Sequence, residues 1–370
     1  MPETTRTDDA RYMRVAIGLA RRGHGNVWPN PAVGCVIVRD GAIVGRGWTQ
    51  PTGRPHAETE ALRRAGEAAR GATVYVSLEP CSHYGQTPPC TSALIAAGVA
   101  RVVIAIVDPD PRVDGRGLAQ LRAAGIAVTL GTSADAATAV NQGFLLRLRD
   151  MCPLVTLKLA TTLDGRITTR RGDSRWITGP VARDLGHGLR ARHDAILVGI
   201  GTALADDPAL TCRLPGLGAR SPVRVVLDPR LRLPTQSALV VTAAETATWV
   251  IAGPDPDPAR RATLEAAGVV VIALPAGADG RPDARTVATE LAARGITRLL
   301  IEGGGTVAAA FVAAGLVDRL VWHRAATVIG GDGLAGIGAL AVDELKDAAG
   351  FVMLGSQPAG PDRIETYARP

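Results

Sequence analysis

The sequence predicts two consecutive α/β domains, and three observations carry that expectation. The chain has 370 residues, long for a single domain at about 150 residues each. Short apolar runs alternate with helical segments along most of its length, the pattern of repeated βα crossovers. That pattern restarts at Met151-Cys152-Pro153, which sets the expected domains at 1–150 and 151–370.

In the first domain a helical stretch at 12–21 precedes an apolar run at 33–38, the turn Asp40-Gly41 and a second run at 43–48. A two-residue Asp-Gly connection between such runs signals a hairpin. A helix follows at 57–69, capped near Gly71, then a strand at 73–78, a loop rich in Pro and Cys, a helix at 91–97 stopped by Gly98, and a strand at 102–107. Helix 117–124, strand 126–130 and helix 134–149 complete the unit. The second domain reads as strand 154–159, helix 181–192, strands 195–198, 223–227 and 248–251, helix 259–267, strand 269–274, helix 284–294, strand 298–301 and helix 306–314. This order implies a largely parallel or mixed sheet with helices on both faces.

Composition narrows the function. Hydrophobic residues make up 46% and charged residues 21%, a globular balance that excludes a disordered or fibrous chain. No window reaches the roughly 18 apolar residues of a membrane span. Residues 1–14 are polar and lack an apolar signal core, so a cytoplasmic protein is expected. Five cysteines, Cys35, Cys81, Cys90, Cys152 and Cys212, are too sparse and odd in number for a secreted disulfide framework; metal binding or burial is expected instead. The net charge of +6 comes almost wholly from arginine, Lys158 and Lys346 being the only lysines. With 3% aromatics and no basic stripe, the charge suits phosphorylated small molecules better than nucleic acid.

His56-Ala57-Glu58 opens the second predicted helix, while Cys81 and Cys90 lie on the loop and helix after the next strand. One imidazole and two thiolates make a three-ligand zinc site, whose open fourth position takes a water of pKa about 7. Glu58 then moves protons without binding metal, the arrangement of zinc deaminases. Either half alone is weak, because His-x-Glu and buried thiols are both common. Together and in order, each at a strand-to-helix junction, they point to zinc. Cys35, inside an apolar run, reads as core, and Cys152 and Cys212 as structural. The segment 82–89 between Cys81 and Cys90 is longer than the two residues of nucleic-acid editing deaminases.

Three strings carry a specific resemblance: Pro29-Asn30-Pro31-Ala32-Val33-Gly34, Pro55-His56-Ala57-Glu58, and Glu79-Pro80-Cys81-Ser82-His83-Tyr84-Gly85-Gln86-Thr87-Pro88-Pro89-Cys90. They resemble the deaminase half of the bifunctional riboflavin-biosynthesis deaminase/reductases. The resemblance implies a cytidine-deaminase-like α/β/α fold, zinc on His56, Cys81 and Cys90, Glu58 as catalytic proton shuttle, and substrate contacts from Asn30 and His83. Thr49 stands where that family often has His, and Gln86 where it often has Lys or Arg.

In the second domain, Lys158 and Leu163-Asp164-Gly165 form a strand entering a tight turn, Ala205 to Leu210 with Arg213 form an acidic and basic loop, and Gly303-Gly304-Gly305 separate a strand from a helix. Glycines there let amides approach a phosphate, although a plain tight turn explains them equally well. These strings resemble the reductase half of the same family, which implies a dihydrofolate-reductase-like α/β domain using NADPH. By that resemblance Ala160, Trp176, Thr202, Asp206, Gly304 and Gly305 hold the cofactor, and Ser174, Arg190, Leu210, Arg213 and Glu302 hold substrate.

The implied reactions are consecutive. A zinc-hydroxide deamination of 2,5-diamino-6-(5-phosphoribosylamino)pyrimidin-4-one, a hydrolase step on an amidine, precedes NADPH reduction of the ribosyl group of 5-amino-6-(5-phosphoribosylamino)uracil to ribityl. A homo-oligomer acting on small phosphorylated pyrimidines is expected, with no nucleic-acid or membrane partner. Two rivals are a nucleic-acid editing zinc deaminase with an appended domain and a non-catalytic zinc-containing assembly protein. The long 82–89 segment argues against the first, and the three-ligand set, where a structural site has four, argues against the second.

Overall fold

The computed structural model describes residues 3–277 and 280–370, and the chain divides after Asp150 into two compact units. Unit 1 runs α1 (Glu3–Ala20), β1 (Gly34–Arg39), β2 (Ala42–Trp48), α2 (Ala57–Ala65), β3 (Thr73–Val76), α3 (Cys90–Ala96), β4 (Arg101–Ile104), α4 (Arg116–Ala123), β5 (Ala127–Leu130) and α5 (Ala134–Asp150). Its sheet has the order β2-β1-β3-β4-β5, antiparallel at β1/β2 and β1/β3 and parallel across β3, β4 and β5.

The pleat sorts the side chains. Cys35, Ile37, Val74, Val76, Val102 and Ile104 point to one face, where they pack with Ala57, Ala61, Leu94 and Leu121 of α2, α3 and α4. The alternate residues Val36, Val38, Tyr75 and Val103 meet Met13, Ile17, Ala137 and Val140 of α1 and α5 on the other. Burying both faces makes the strands nearly continuous apolar runs, and each fully buried Val or Ile contributes roughly 1.5–3 kcal/mol. At one edge of the second layer Asp9 accepts from Tyr75 Oη and pairs with Arg101 at 2.6 Å, tying α1 to β3 and β4.

The hairpin turn is as the sequence suggests: Asp40 and Gly41 have φ of +50° and +74°, the left-handed pair of a tight two-residue connection. The helix expected over 57–69 is shorter. It ends at Ala65, where Gly66 takes φ +53°, and 66–69 continues as a 3-10 turn.

Unit 2 runs β6 (Leu154–Thr161), β7 (Arg166–Thr168), α6 (Pro180–Arg190), β8 (Ala195–Gly199), α7 (Ile200–Asp206), β9 (Val223–Leu227), α8 (Ala238–Val241), β10 (Thr248–Ala252), α9 (Pro258–Ala266), β11 (Val270–Ala273), α10 (Ala284–Ala293), β12 (Arg298–Ile301), α11 (Gly305–Ala313), β13 (Arg319–Arg324), β14 (Leu334–Ala335), β15 (Val352–Ala359) and β16 (Asp362–Ala368). A nine-stranded sheet has the order β11-β10-β9-β8-β12-β6-β13-β16-β15, and β14 pairs with β7. The large sheet is parallel through β13, and β16 and β15 close it antiparallel. It is the mixed sheet that the alternating pattern implies. The segment read as a loop at 205–210 in fact begins inside α7, whose last residue is Asp206. Among the described residues no helix is long and apolar enough to cross a membrane.

Unit 1 packs α2 directly on β2. A Cβ on Gly47 would lie 2.0 Å from the Ala57 carbonyl oxygen, a backbone atom that cannot yield cheaply. Gly47→Ala is therefore expected to cost about 1–3 kcal/mol and, because Ala57 adjoins His56, to lower bound zinc. Thermal unfolding with metal analysis of the purified variant checks both.

Candidate active sites

His56 is the N-cap residue of α2, and Cys90 is the first residue of α3. Cys81 precedes Cys90 on the crossover leaving β3, so the segments that follow β2 and β3 deliver three donors to one place. His56 Nδ1 lies 3.6 Å from Cys81 Sγ and 3.3 Å from Cys90 Sγ, and the three ligand atoms are all within 4.8 Å of one another. Tetrahedral zinc with Zn–S near 2.3 Å and Zn–N near 2.0 Å separates such atoms by about 3.5 Å. The donor set and its spacing fit zinc. The Cys90 thiol pulls Cys81 down to about 4, against burial and with help from His56 and the Cys90 amide. Glu58, in the first turn of α2, is 4% exposed, and burial pushes its carboxyl up to about 7 against the His56 charge. Cys35 lies fully buried in β1, as core.

His56, Glu58 and Cys81 open into a cavity of about 460 Å³ that Asn30 and His83 also line. Asn30 Nδ2 donates weakly to the Val27 and Thr52 carbonyls, bracing its own turn while facing the cavity. His83 Nδ1 is buried without a protein partner. Residues that the sequence reading did not single out complete the wall: Arg54, Asp108, Asp110, Arg112 and Arg147. Asp108 and Asp110 follow β4 as Cys81 follows β3, and a position just past the carboxyl end of a parallel strand was the available signal. Burial pushes Asp108 up to about 6, Asp110 and Glu79 adding to this and the Asp110 amide opposing it.

Glu79 holds the two crossovers together. Its buried carboxylate accepts from the amides of Asp108 (3.2 Å), Gly115 (3.0 Å), Gly117 (2.8 Å) and Leu118 (3.3 Å).

In unit 2, Arg190 at the end of α6 donates from Nε and Nη2 to both Glu302 oxygens, at 2.9 Å each, and from Nη1 to the Thr211 carbonyl at 3.0 Å. Arg190 does not lie on a solvated helix face, since its side chain is only 15% exposed. Burial opposes the Glu302 charge, but Arg190, Lys158 and His323 outweigh it and hold the carboxyl down at about 2. Burial lowers Lys158. His323 on β13 is buried with Nδ1 unpartnered, and burial with the Lys158 charge drives it down to about 3. Arg190, Glu302, Lys158 and the uncharged His323 form one buried polar cluster contributed by α6, β6, β13 and the residue after β12.

The other expected residues lie on several elements of unit 2. Arg224, fully buried, bonds the Ala209, Leu239, Thr242 and Thr246 carbonyls, fixing the chain next to Leu210. Leu210 has φ +52° and its side chain is in the core, so its backbone is what the site can use. Arg213 is exposed, its amide donating to His187 Nδ1 at 3.4 Å. Trp176 is exposed, with the Arg183 guanidinium 4.6 Å from its ring centre. Ser174 is half-buried, and Arg175 between them donates to the Asp206 carbonyl. Ala160 lies near the end of β6. Thr202 sits against the glycine turn: a Cβ on Gly303 would meet its Cγ2 at 3.1 Å, Gly304 takes φ +83°, and a Cβ on Gly305 would strike the Ala335 carbonyl at 2.6 Å. Packing thus accounts for Gly303 and Gly305, while the turn sets the first residues of α11 at the end of β12, where anionic groups are stabilised.

A His-Cys-Cys donor set at two helix starts and a crossover, beside a buried glutamate, is the arrangement of a cytidine-deaminase-type zinc domain, and the second unit is a separate mixed-sheet α/β domain. Residues 6–106 match the family model for the cytidine and deoxycytidylate deaminase zinc-binding region, and residues 153–349 match the RibD C-terminal domain. The chain is 42% identical to the riboflavin biosynthesis protein RibD of Escherichia coli K12 over 365 residues, covering 96% of this chain and 97% of that one. It is 44% identical to RibD of Bacillus amyloliquefaciens over 320 residues, 86% and 85% of the two chains. Among solved structures, Acinetobacter baumannii RibD superposes with a TM-score of 0.88 at 38% identity, over 98% of this chain and 99% of that one. The deaminase/reductase of Thermotoga maritima superposes with a TM-score of 0.85 at 32% identity, over 99% of both. The chain belongs to the RibD family of riboflavin biosynthesis proteins, bifunctional enzymes with a deaminase and a reductase domain.

Two predictions follow from this electrostatic framework. In Glu79→Gln an NH2 group replaces one acceptor oxygen facing backbone amides, at an expected cost of about 1.5–3 kcal/mol; deaminase activity falls with stability while reductase activity holds, as parallel assays and thermal melts would read. For His323, the unfolded chain binds a proton below about pH 6.5 that the folded protein refuses until about pH 3, so stability falls as pH drops through that window. Moving from pH 7 to 5 costs about 2 kcal/mol through this group, and His323→Gln should flatten the decline in melting temperature.

Proposed function

We propose that the first domain hydrolyses the 2-amino group from 2,5-diamino-6-(5-phosphoribosylamino)pyrimidin-4-one, releasing ammonia. The second domain then reduces the ribosyl group of 5-amino-6-(5-phosphoribosylamino)uracil to ribityl with NADPH. The Thermotoga maritima relative is named for a diaminohydroxyphosphoribosylaminopyrimidine deaminase and a 5-amino-6-(5-phosphoribosylamino)uracil reductase, which supports this substrate pair. The observation that carries the reading is the donor spacing of 3.3 and 3.6 Å beside buried Glu58 in one cavity.

His56, Cys81 and Cys90 hold zinc, which when bound supplies an activated water. Glu58 accepts a proton as water adds to the carbon bearing the amino group and returns it to the departing nitrogen, so that ammonia leaves neutral. Asn30 and His83 orient the substrate, the unpartnered His83 Nδ1 being matched to a polar group of the ligand.

In the second domain bound NADPH would supply the hydride, and the sugar oxygen released from C1′ would take its proton from solvent. Ala160, Trp176, Thr202, Asp206, Gly304 and Gly305 hold the cofactor. Ser174, Arg190, Leu210, Arg213 and Glu302 hold the substrate, with Arg213 suited to its phosphate and Glu302 to its hydroxyls. The same reading makes the protein a cytoplasmic homo-oligomer that acts on small phosphorylated pyrimidines.

The test is a coupled assay on zinc-loaded protein that follows ammonia release and then NADPH oxidation. Glu58→Gln should lose roughly 10²–10⁴-fold in ammonia release with zinc content unchanged and NADPH oxidation of the uracil intermediate intact. Ammonia release that survives in Glu58→Gln would remove the proton-shuttle role.

A further inference from the structure

The deaminase cavity needs a counter-charge for the phosphate of its proposed substrate, and its polar wall residues Thr49 and Gln86 supply none. Thr49 is 3% exposed, and its hydroxyl accepts from the Val33 amide and donates to the Pro31 carbonyl. It is spent on holding the entry to β1. Gln86 faces the cavity but carries no charge.

Three arginines line the same wall: Arg54, Arg112 and Arg147. Arg112 is neutralised at close range, donating to both oxygens of Asp110 at 2.5 to 3.2 Å. Arg54 is placed differently. Its backbone is extended, two residues before His56, and its guanidinium crosses to the 85–87 segment, where Nη1 donates to Thr87 Oγ1 at 2.5 Å. A Cβ on Gly85 would lie 3.3 Å from Arg54 Nη2, so the bare glycine leaves the guanidinium its room. Among the described residues its side-chain partner is this neutral hydroxyl, and it makes no salt bridge. A cation anchored through one nitrogen and uncompensated by acid keeps further donors for a planar, bidentate grip on a phosphate.

We propose that Arg54, with the 85–87 segment, forms the phosphate subsite of the deaminase cavity, supplying a charge that Thr49 and Gln86 do not. The proposal rests on the phosphorylated pyrimidine substrate proposed above. A ribosylaminopyrimidine phosphate fits that subsite, whereas its dephosphorylated riboside gains nothing from it.

The experiment compares Arg54→Ala with the parent enzyme on the phosphorylated substrate and on the riboside. The expected result is a rise in KM of about ten-fold or more on the phosphorylated substrate, with kcat changed less than about two-fold. On the riboside, kcat/KM is unchanged. Gln86→Arg added to Arg54→Ala recovers part of the lost KM. Equal losses on both substrates, no loss on either, or the phosphate-specific loss appearing in Arg147→Ala instead would overturn the assignment. A second readout does not depend on turnover: in phenylglyoxal labelling followed by peptide mass spectrometry, ribose 5-phosphate should protect Arg54 and ribose should not. Absence of protection overturns the subsite. If the parent enzyme releases ammonia from neither substrate, the functional reading falls, and the labelling result still decides whether Arg54 binds phosphate.

Discussion

The deaminase site depends on one buried carboxylate. Glu79 closes β3, and its two oxygens gather four amides from the segment that leaves β4 and starts α4. A charged acceptor facing several backbone donors is strong, and it leaves no orphan polar group behind. Because Cys81 is two residues downstream of Glu79, the same interaction that folds the 108–118 segment also fixes where the thiol-bearing crossover begins. The start of the thiol-bearing crossover and the acidic cavity wall are thereby set by a single anchor. The Gly117 position shows how tight this is, since a Cβ there would lie 2.4 Å from the Pro80 carbonyl.

The second unit uses the same place in its topology with different chemistry. Glu302 also follows a parallel strand, but its partners are the Arg190 guanidinium and the neighbouring Lys158 rather than amides. An ion pair of this kind removes much of the penalty of burying either charge and leaves the pair sensitive to loss of one member. Arg190 spends its remaining nitrogen on the Thr211 carbonyl, so the pair also holds the 210–213 segment. Binding residues and the loop that carries them are positioned by one contact.

What was legible in the sequence follows from how local each cause is. Asp40-Gly41 announced its hairpin because a two-residue turn is decided by its own φ angles. His56, Cys81 and Cys90 stood out because imidazole and thiol are scarce in this chain, with 6 His and 5 Cys. Arg54, Asp108 and Glu79 did not, because 41 basic and 35 acidic side chains offer no contrast and only the folded crossovers select among them. The short helix α7 was hidden by Gly201 and by the acidic tail that looked like a loop. The strand β15 was not legible as an element either: all but its last residue are exposed, so no alternation marks it.

Two buried carboxyls at strand ends, Asp108 and Glu302, show why the sites can perform unlike steps in one chain. Asp108 has acids for neighbours and a single close amide, and burial moves it up to about 6. Glu302 is as deeply placed but meets Arg190, Lys158 and His323, which bring it down to about 2. The same functional group is thus pushed toward neutrality in unit 1 and held as an anion in unit 2. Neither state is a property of Asp or Glu as residues. It comes from which side chain the neighbouring element brings, Glu79 from the crossover after β3 in one unit and Arg190 from the end of α6 in the other, so the packing of elements around each strand end decides the chemistry that it can support.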